Sequence, residues 1–387
     1  MAISIIRLTI INIKMDKPQI FVFLEKSVNF SCFSVNWLPS SPKFLAAGTS
    51  PSNKGVIKVL NITENSIEID KEVEFPNPIR CCTFDFNPEG ENKVALGCSN
   101  GILEVRDMEK DIMIVSEYKA HQNMINSIDG AGGVGSGYGQ SEIATCSVDG
   151  SAKVWDLRQK SEPVVSLVPE SDNHSQKPRD CWALAFGGSF NSDCRYLSCG
   201  FDNGDVKVFD LRSLSLFTSY KSANGVCSLS FDRKSIDINK LYVGTLENSV
   251  LVIDLLSGNL KKLENDDFLT VIKGKKYKFA CDQKGQTTIW KVLPLPQSRE
   301  ILISSSGDGS MSVWKYDTNE EGRFGVTEDG NKFCRPGNLN ELQCAQISSQ
   351  PIVSFDLHKI RQGLTVQCSI DQQIRVLAIT KLDSLVS

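Results

Sequence analysis

One short motif recurs seven times along this chain, and that recurrence limits the available folds more than any other feature. Each copy is a tight turn followed by a strand of alternating residues. The clearest is Ser147-Val148-Asp149-Gly150-Ser151-Ala152-Lys153-Val154-Trp155-Asp156. Asp202-Asn203-Gly204-Asp205-Val206-Lys207-Val208-Phe209-Asp210 and Gly307-Asp308-Gly309-Ser310-Met311-Ser312-Val313-Trp314 repeat it. Four weaker copies complete a closing column of Leu60, Arg106, Trp155, Phe209, Ile253, Trp314 and Leu377, in steps of 46, 49, 54, 44, 61 and 63 residues. A period of about 45 residues, stretched by loop insertions, is the signature of a ring of four-stranded blades. The chain is therefore expected to be all-β, a seven-bladed propeller.

A length of 387 residues would otherwise argue for two or three domains. A blade cannot bury both of its faces alone, so the ring counts as one unit. Residues 15–387 are expected to form it, with an irregular loop at 259–286 and a flexible loop at 318–346. Residues 1–14, MAISIIRLTIINIK, break the pattern. They lack the basic start and small-residue cleavage site of a signal peptide. They read as a disordered or mispredicted N-terminal extension, with Met15 the natural start.

Each innermost strand carries an apolar-x-x-apolar-x-aromatic pattern. Copies begin at Cys32, Ile79, Ile125, Cys181, Val226, Ile289 and Ile352. Residues 19–24 are left over and are expected to supply the outer strand of blade seven, which removes a free sheet edge. Asp-Gly and Asn-Gly before the closing strands are good hairpin chemistry.

Composition narrows the function. The net charge is −4, so there is no excess of Lys and Arg to displace counterions from nucleic acid or an anionic membrane. The 13 Cys form no CxxC pair, and those in expected strands read as small buried hydrophobes in a reducing compartment. His121, His174 and His358 show no metal-ligand spacing, so no metal or cofactor is expected. No stretch reaches 18 apolar residues, so no membrane span is expected. The Gly-rich stretch 130–140 has no GK[ST] ending and is no phosphate loop.

His121, Thr145 or Ser147, Asp149 and Trp155 could be assembled into a catalytic constellation. The structural reading is stronger: in a blade such a set forms a buried hydrogen-bond relay that fixes loop to strand. His121, Asp149, Trp155, Asp202 and Trp314 are accordingly assigned to the scaffold, and no catalytic residue is named. Trp182 and Trp290 differ. Each follows the first apolar residue of an inner strand, where propeller geometry points a side chain at the channel mouth. The equivalent positions are Phe33, Arg80, Asn126, Cys227 and Val353. Trp and Arg are enriched at interface hot spots, so Phe33, Arg80, Asn126, Trp182 and Trp290 are the candidate protein-binding residues. The competing reading has the two Trp merely plugging the channel.

Beyond the generic repeat, several stretches carry a family resemblance. They are Lys17-Pro18-Gln19-Ile20, Ile125-Asn126-Ser127-Ile128-Asp129-Gly130, Arg179-Asp180-Cys181-Trp182, Asn224-Gly225-Val226-Cys227-Ser228-Leu229 and Ile379-Thr380-Lys381-Leu382. From about residue 17 to 382 the chain resembles the Monad family of WD-repeat axonemal dynein assembly factors. Departures lie in residues 1–14, in the basic crossing 265–286 and in the crossing into blade seven. The resemblance implies a WD-repeat β-propeller without catalysis, monomeric and cytoplasmic. It implies a scaffold working with the prefoldin-like co-chaperone complex and the heat-shock machinery in preassembly of axonemal dynein heavy chains. The alternative is a WD propeller that recognises a peptide or modified peptide in a ubiquitin-ligase or chromatin complex. A tight aromatic cage for a methylated cation does not suit Trp182 and Trp290, which belong to non-adjacent blades.

Overall fold

In the computed structural model the residues described are 17–39, 41–88, 91–133, 141–159, 162–168, 179–188, 195–232, 238–247, 249–255, 269–271, 287–317, 324–326, 332–334 and 338–382. They form seven four-stranded antiparallel sheets, the blades of a β-propeller, and one two-stranded hairpin. The inner strands are Ser31–Trp37, Ile79–Thr83, Ile125–Ala131, Cys181–Gly187, Val226–Phe231, Ile289–Pro294 and Ile352–Leu357. Each starts at or within a residue of the position read from the pattern. The third strands, Gly55–Ile62, Ile102–Asp107, Ala152–Asp156, Asp205–Asp210, Val250–Asp254, Ser310–Asp317 and Gln373–Thr380, carry the closing column. Its members are in register: each pairs with the residue two places into the second strand, as in Phe44↔Leu60, Ile143↔Trp155 and Leu302↔Trp314. Two rungs on, the same strands pair Ala46↔Lys58, Thr145↔Lys153 and Ser304↔Ser312.

The ring closes as expected. Gln19–Ser27 pairs antiparallel with Gln373–Thr380, from Gln19↔Thr380 to Ser27↔Gln373. An ionic network locks it. Arg375 donates to Glu25 at 2.5 Å, to Ser369 Oγ at 2.9 Å and to Asp371 at 2.8 Å. Ring closure of this kind ties the first strand to the last and removes a seam at which the blades could part.

The blades pack through a size rule that explains the cysteines. At one position of the second strand stands a small residue, facing the first apolar residue of the next blade's inner strand. A Cβ on Gly97 would lie 2.8 Å from Ile125 Cγ2, one on Gly200 2.4 Å from Val226, and one on Gly244 2.9 Å from Ile289. Glycine there makes room for a branched neighbour. At the seams between blades three and four and between seven and one, both partners are cysteine instead. Cys146 Sγ lies 3.5 Å from the carbonyl of Cys181, and Cys368 Sγ 3.7 Å from that of Cys32. Two mid-sized thiols fill the volume that Gly and Ile fill elsewhere. All four are buried and free, and burial raises the thiol pKa of Cys32, Cys146 and Cys181. Raised thiols of this kind are poor nucleophiles.

One expectation is corrected. Residues 338–346 lie inside the crossing expected to be flexible, yet Asn338–Gln346 is the outer strand of blade six, paired with Ser310–Asp317. The open edge of the Trp314 strand supplies the template, and Leu339 is buried against the core of Tyr242, Trp314 and Tyr316. Earlier in the same crossing, Phe324–Val326 and Lys332–Cys334 form the hairpin. Residues 1–14 lie outside the described residues. So does the loop 259–286, apart from Leu269–Val271, the outer strand of blade five.

Candidate functional site: the channel mouth

Every inner strand breaks register at the same place. The shift falls between Cys32 and Ser34, Ile79 and Cys81, Ile125 and Ser127, Cys181 and Ala183, Val226 and Ser228, Ile289 and Lys291, and Ile352 and Ser354. The skipped residues are Phe33, Arg80, Asn126, Trp182, Cys227, Trp290 and Val353. A β-bulge leaves its extra residue out of the ladder and re-aims the side chain. Here all seven line one cavity of about 880 Å³ that runs along the channel. The sequence reading placed these residues at the mouth by position. The bulge is the physical cause, and no sequence pattern announces it.

The mouth has two unlike halves. At blades one to three stand Phe33, Arg80 and Asn126. The Arg80 guanidinium lies 4.7 Å from the centre of the Phe33 ring. Burial lowers its pKa. Asn126 is already committed: its Nδ2 donates to the Cys181 carbonyl at 2.8 Å and braces blade three against blade four. At blades four to six, half-buried Trp182 and Trp290 flank the small Cys227. The Trp182 ring rests on backbone that only glycine permits, since a Cβ on Gly225 would lie 2.7 Å from Cζ3. Trp290 Nε1 is buried beside Gly307 with no acceptor among the described residues.

Deeper in the channel stand Lys291 and Asp356. Lys291 Nζ reaches Ser354 Oγ at 3.5 Å. Asp356 accepts the Trp37 backbone N–H at 2.8 Å, tying blade seven to blade one. Burial pushes the Asp356 carboxyl up to about 6, although Lys291 and the Trp37 N–H pull the other way. Asp129 repeats the device at the seam of blades three and four, accepting the Phe186 N–H at 2.8 Å. At the far end Lys359 pairs with Asp85 at 2.8 Å.

The scaffold residues lie away from the mouth. Trp155 Nε1 donates to Thr145 Oγ1 at 3.0 Å, and Thr145 Oγ1 is 2.8 Å from His121 Nε2. His121 Nδ1 meets Asp149 Oδ2 at 3.1 Å and Ser151 Oγ at 3.0 Å. A carboxylate only accepts, so Nδ1 carries the proton and Nε2 accepts from Thr145. Burial opposes ionisation of Asp149. The bonds from His121 and from the Ser151 hydroxyl and N–H outweigh it, and they hold the carboxyl well below the usual range. Neither ring nitrogen of His121 is left over for a substrate. Trp314 Nε1 donates to Ser304 Oγ at 2.8 Å, the blade-six counterpart of the Trp155–Thr145 bond. Asp202 stands apart. It was read as a relay residue by analogy with Asp149, but its Oδ1 is buried with no partner among the described residues. The turn itself forms, closed by the Gly204 N–H donating to the Phe201 carbonyl at 3.1 Å. His174 also lies outside them. Among the described residues there is no group of three or more metal-ligating side chains and no helix long and apolar enough to cross a membrane.

The fold and the mouth can now be set beside known proteins. A WD domain, G-beta repeat matches residues 113–156, which run from the outer strand of blade two through the third strand of blade three. The chain is 38% identical to dynein axonemal assembly factor 10 of Xenopus laevis, over 96% of this chain and 99% of the relative. It is 37% identical to the Homo sapiens protein of that name and 35% identical to that of Chlamydomonas reinhardtii, with the same coverage. Matches of this extent run over nearly the whole of both chains, and so the chain belongs to the dynein axonemal assembly factor 10 family of WD-repeat propellers.

Proposed function

We propose that this chain is a non-catalytic interaction scaffold in the cytoplasm, an adaptor between co-chaperones and axonemal dynein heavy chains during their preassembly. End-to-end similarity to relatives named as dynein axonemal assembly factors is the observation that carries this reading. The chemistry of the described residues supports the non-catalytic part. The histidine relay among them is closed on itself, and the thiols with raised pKa, buried or half-buried, are poor nucleophiles. The prefoldin-like co-chaperone complex is the proposed partner, and the bulge-built mouth is the proposed docking surface. Trp182, Trp290, Phe33 and Arg80 are its contact residues, with Asn126 a brace beneath them.

Affinity purification of the full chain from cytosol tests the reading. Dynein heavy chains and co-chaperone subunits are expected among the proteins retained. Retention of ubiquitin-ligase or chromatin components in their place would replace this reading with the peptide-recognition alternative.

A further inference from the structure

Arg80 has no counter-ion among the described residues. Among the described residues no carboxylate forms an ion pair or hydrogen bond with it, and the Phe33 ring is its one close polar-face contact. Burial alone accounts for the main fall in its pKa. Each carboxylate that lines the channel is engaged elsewhere. Asp129 and Asp356 accept backbone N–H groups of the next blade. Asp85 pairs with Lys359 at the far end, and Asp232 with Arg299 at 3.3 Å. Lys291, one residue into the channel from Trp290, adds a second cation that forms no ion pair among the described residues, although it acts electrostatically on Asp356. A guanidinium largely removed from water without an anion is costly, and an anionic ligand would offset that cost. The group lies over the Phe33 ring at 4.7 Å, and its N–H groups donate to no described residue, which leaves them for the two oxygens of a carboxylate.

The opposite side of the mouth is apolar. Trp182 and Trp290 stand on either side of Cys227, whose small side chain leaves a notch between two rings, with Leu246 also lining the cavity. A cation at blade two therefore faces an aromatic notch at blade five. A cavity of about 880 Å³ takes several side chains, not one.

We propose that the mouth binds a linear acidic segment of a partner protein, with a Glu or Asp carboxylate on Arg80 and a neighbouring apolar side chain in the notch between Trp182 and Trp290. This rests on the reading of the mouth as the docking surface and adds the chemistry of what docks there.

Random twelve-residue peptides displayed on phage and selected on the full chain test it. Enriched sequences are expected to carry Asp or Glu close to Leu, Ile or Phe. The leading peptide, labelled with fluorescein, is then titrated by anisotropy. Replacing its acidic residue by the amide is expected to weaken binding at least about tenfold, the loss of a charge-assisted pair. Arg80→Gln should weaken it similarly with a denaturation midpoint no lower than that of the parent chain, Arg80→Lys should recover part of the affinity, and Trp182→Ala should weaken the apolar contact. Selection of peptides without acidic residues, equal binding of acid and amide forms, or equal binding by Arg80→Gln would overturn the proposal. A phosphoserine version that binds while the Glu version does not would assign the mouth to phosphopeptides instead. Purification from cytosol separates this failure from that of the functional reading. If Arg80→Gln still retains co-chaperones and dynein heavy chains, the acidic-segment proposal fails and the adaptor role stands. If acidic peptides bind but neither protein class is retained, the mouth chemistry stands and the adaptor role fails.

Discussion

The seams between blades and the mouth of the channel use the same residue, tryptophan, in opposite ways. At the seams Trp155 and Trp314 are 2% and 6% exposed. Each indole N–H is spent on a hydroxyl of the neighbouring strand. At the mouth Trp182 and Trp290 stand on bulges, outside the ladder, and each keeps part of its ring in the cavity. The difference is one of backbone. A residue in register must be answered by its sheet; a bulged residue is released from it. A propeller can therefore vary such mouth residues with little cost to its blades, except where one is tied back as Asn126 is to the Cys181 carbonyl. Here it has placed one unanswered cation and two large rings among them.

The largest expected effect tests the seam side. Trp155→Ala removes a ring packed on Tyr118 at 5.2 Å between centroids and a hydrogen bond to Thr145. It should lower stability by about 3–5 kcal/mol in a denaturant titration. His121→Ala leaves Thr145 and Asp149 without their shared partner, and about 1–3 kcal/mol should be lost in the same assay. A cost for His121→Ala equal to that of an exposed residue would break the relay account.

Acid sensitivity separates two carboxylates of the scaffold. Asp149 is held below its unfolded pKa, so its contribution is full at neutral pH and fades as pH falls through its folded value. Asp356 runs the other way. Its folded value of about 6 exceeds the ordinary 3.8, so the native state holds the proton more tightly and stability falls as pH rises between about 4 and 6. Asp356→Asn keeps an acceptor for the Trp37 N–H and should flatten that decline in melting curves collected across this window. An unchanged slope would show that another group sets it. The smallest effect on stability belongs to the mouth: Trp182→Ala and Trp290→Ala should each cost less than Trp155→Ala, since part of each ring is already wet. Equal losses would make them channel plugs.

How much of this was legible in the sequence depended on whether a feature was local. The inner strands and the closing column could be read because alternation and Asp-Gly turns lie within a few residues of each other. The strand Gln19–Ser27 was found by elimination, as the one leftover partner for blade seven. Asn338–Gln346 was missed because its sequence is polar and lies deep in a long crossing; the edge of Ser310–Asp317, far from it in the reading, dictates its pairing. Asp202 reads as a relay residue because its turn copies that of Asp149, but a relay also needs a residue from a separate loop, and no partner of its Oδ1 lies among the described residues. The cysteine seams were equally hidden. Cys146 and Cys181 look unrelated until neighbouring blades bring them together at a position that takes Gly and Ile elsewhere. At the mouth the residue types were legible, but the bulge that frees them and the missing counter-ion of Arg80 are not.

The central claim is that the mouth binds and the seams support. Its most direct test is a quantitative pull-down of the co-chaperone complex on the full chain and on Trp182→Ala and Trp290→Ala, at protein concentrations where each variant is folded by its own denaturation curve. The account expects each mouth substitution to weaken binding by about 2 kcal/mol, some thirtyfold. Undiminished binding by both variants would contradict it, and would move the docking surface to the outer strands of the blades.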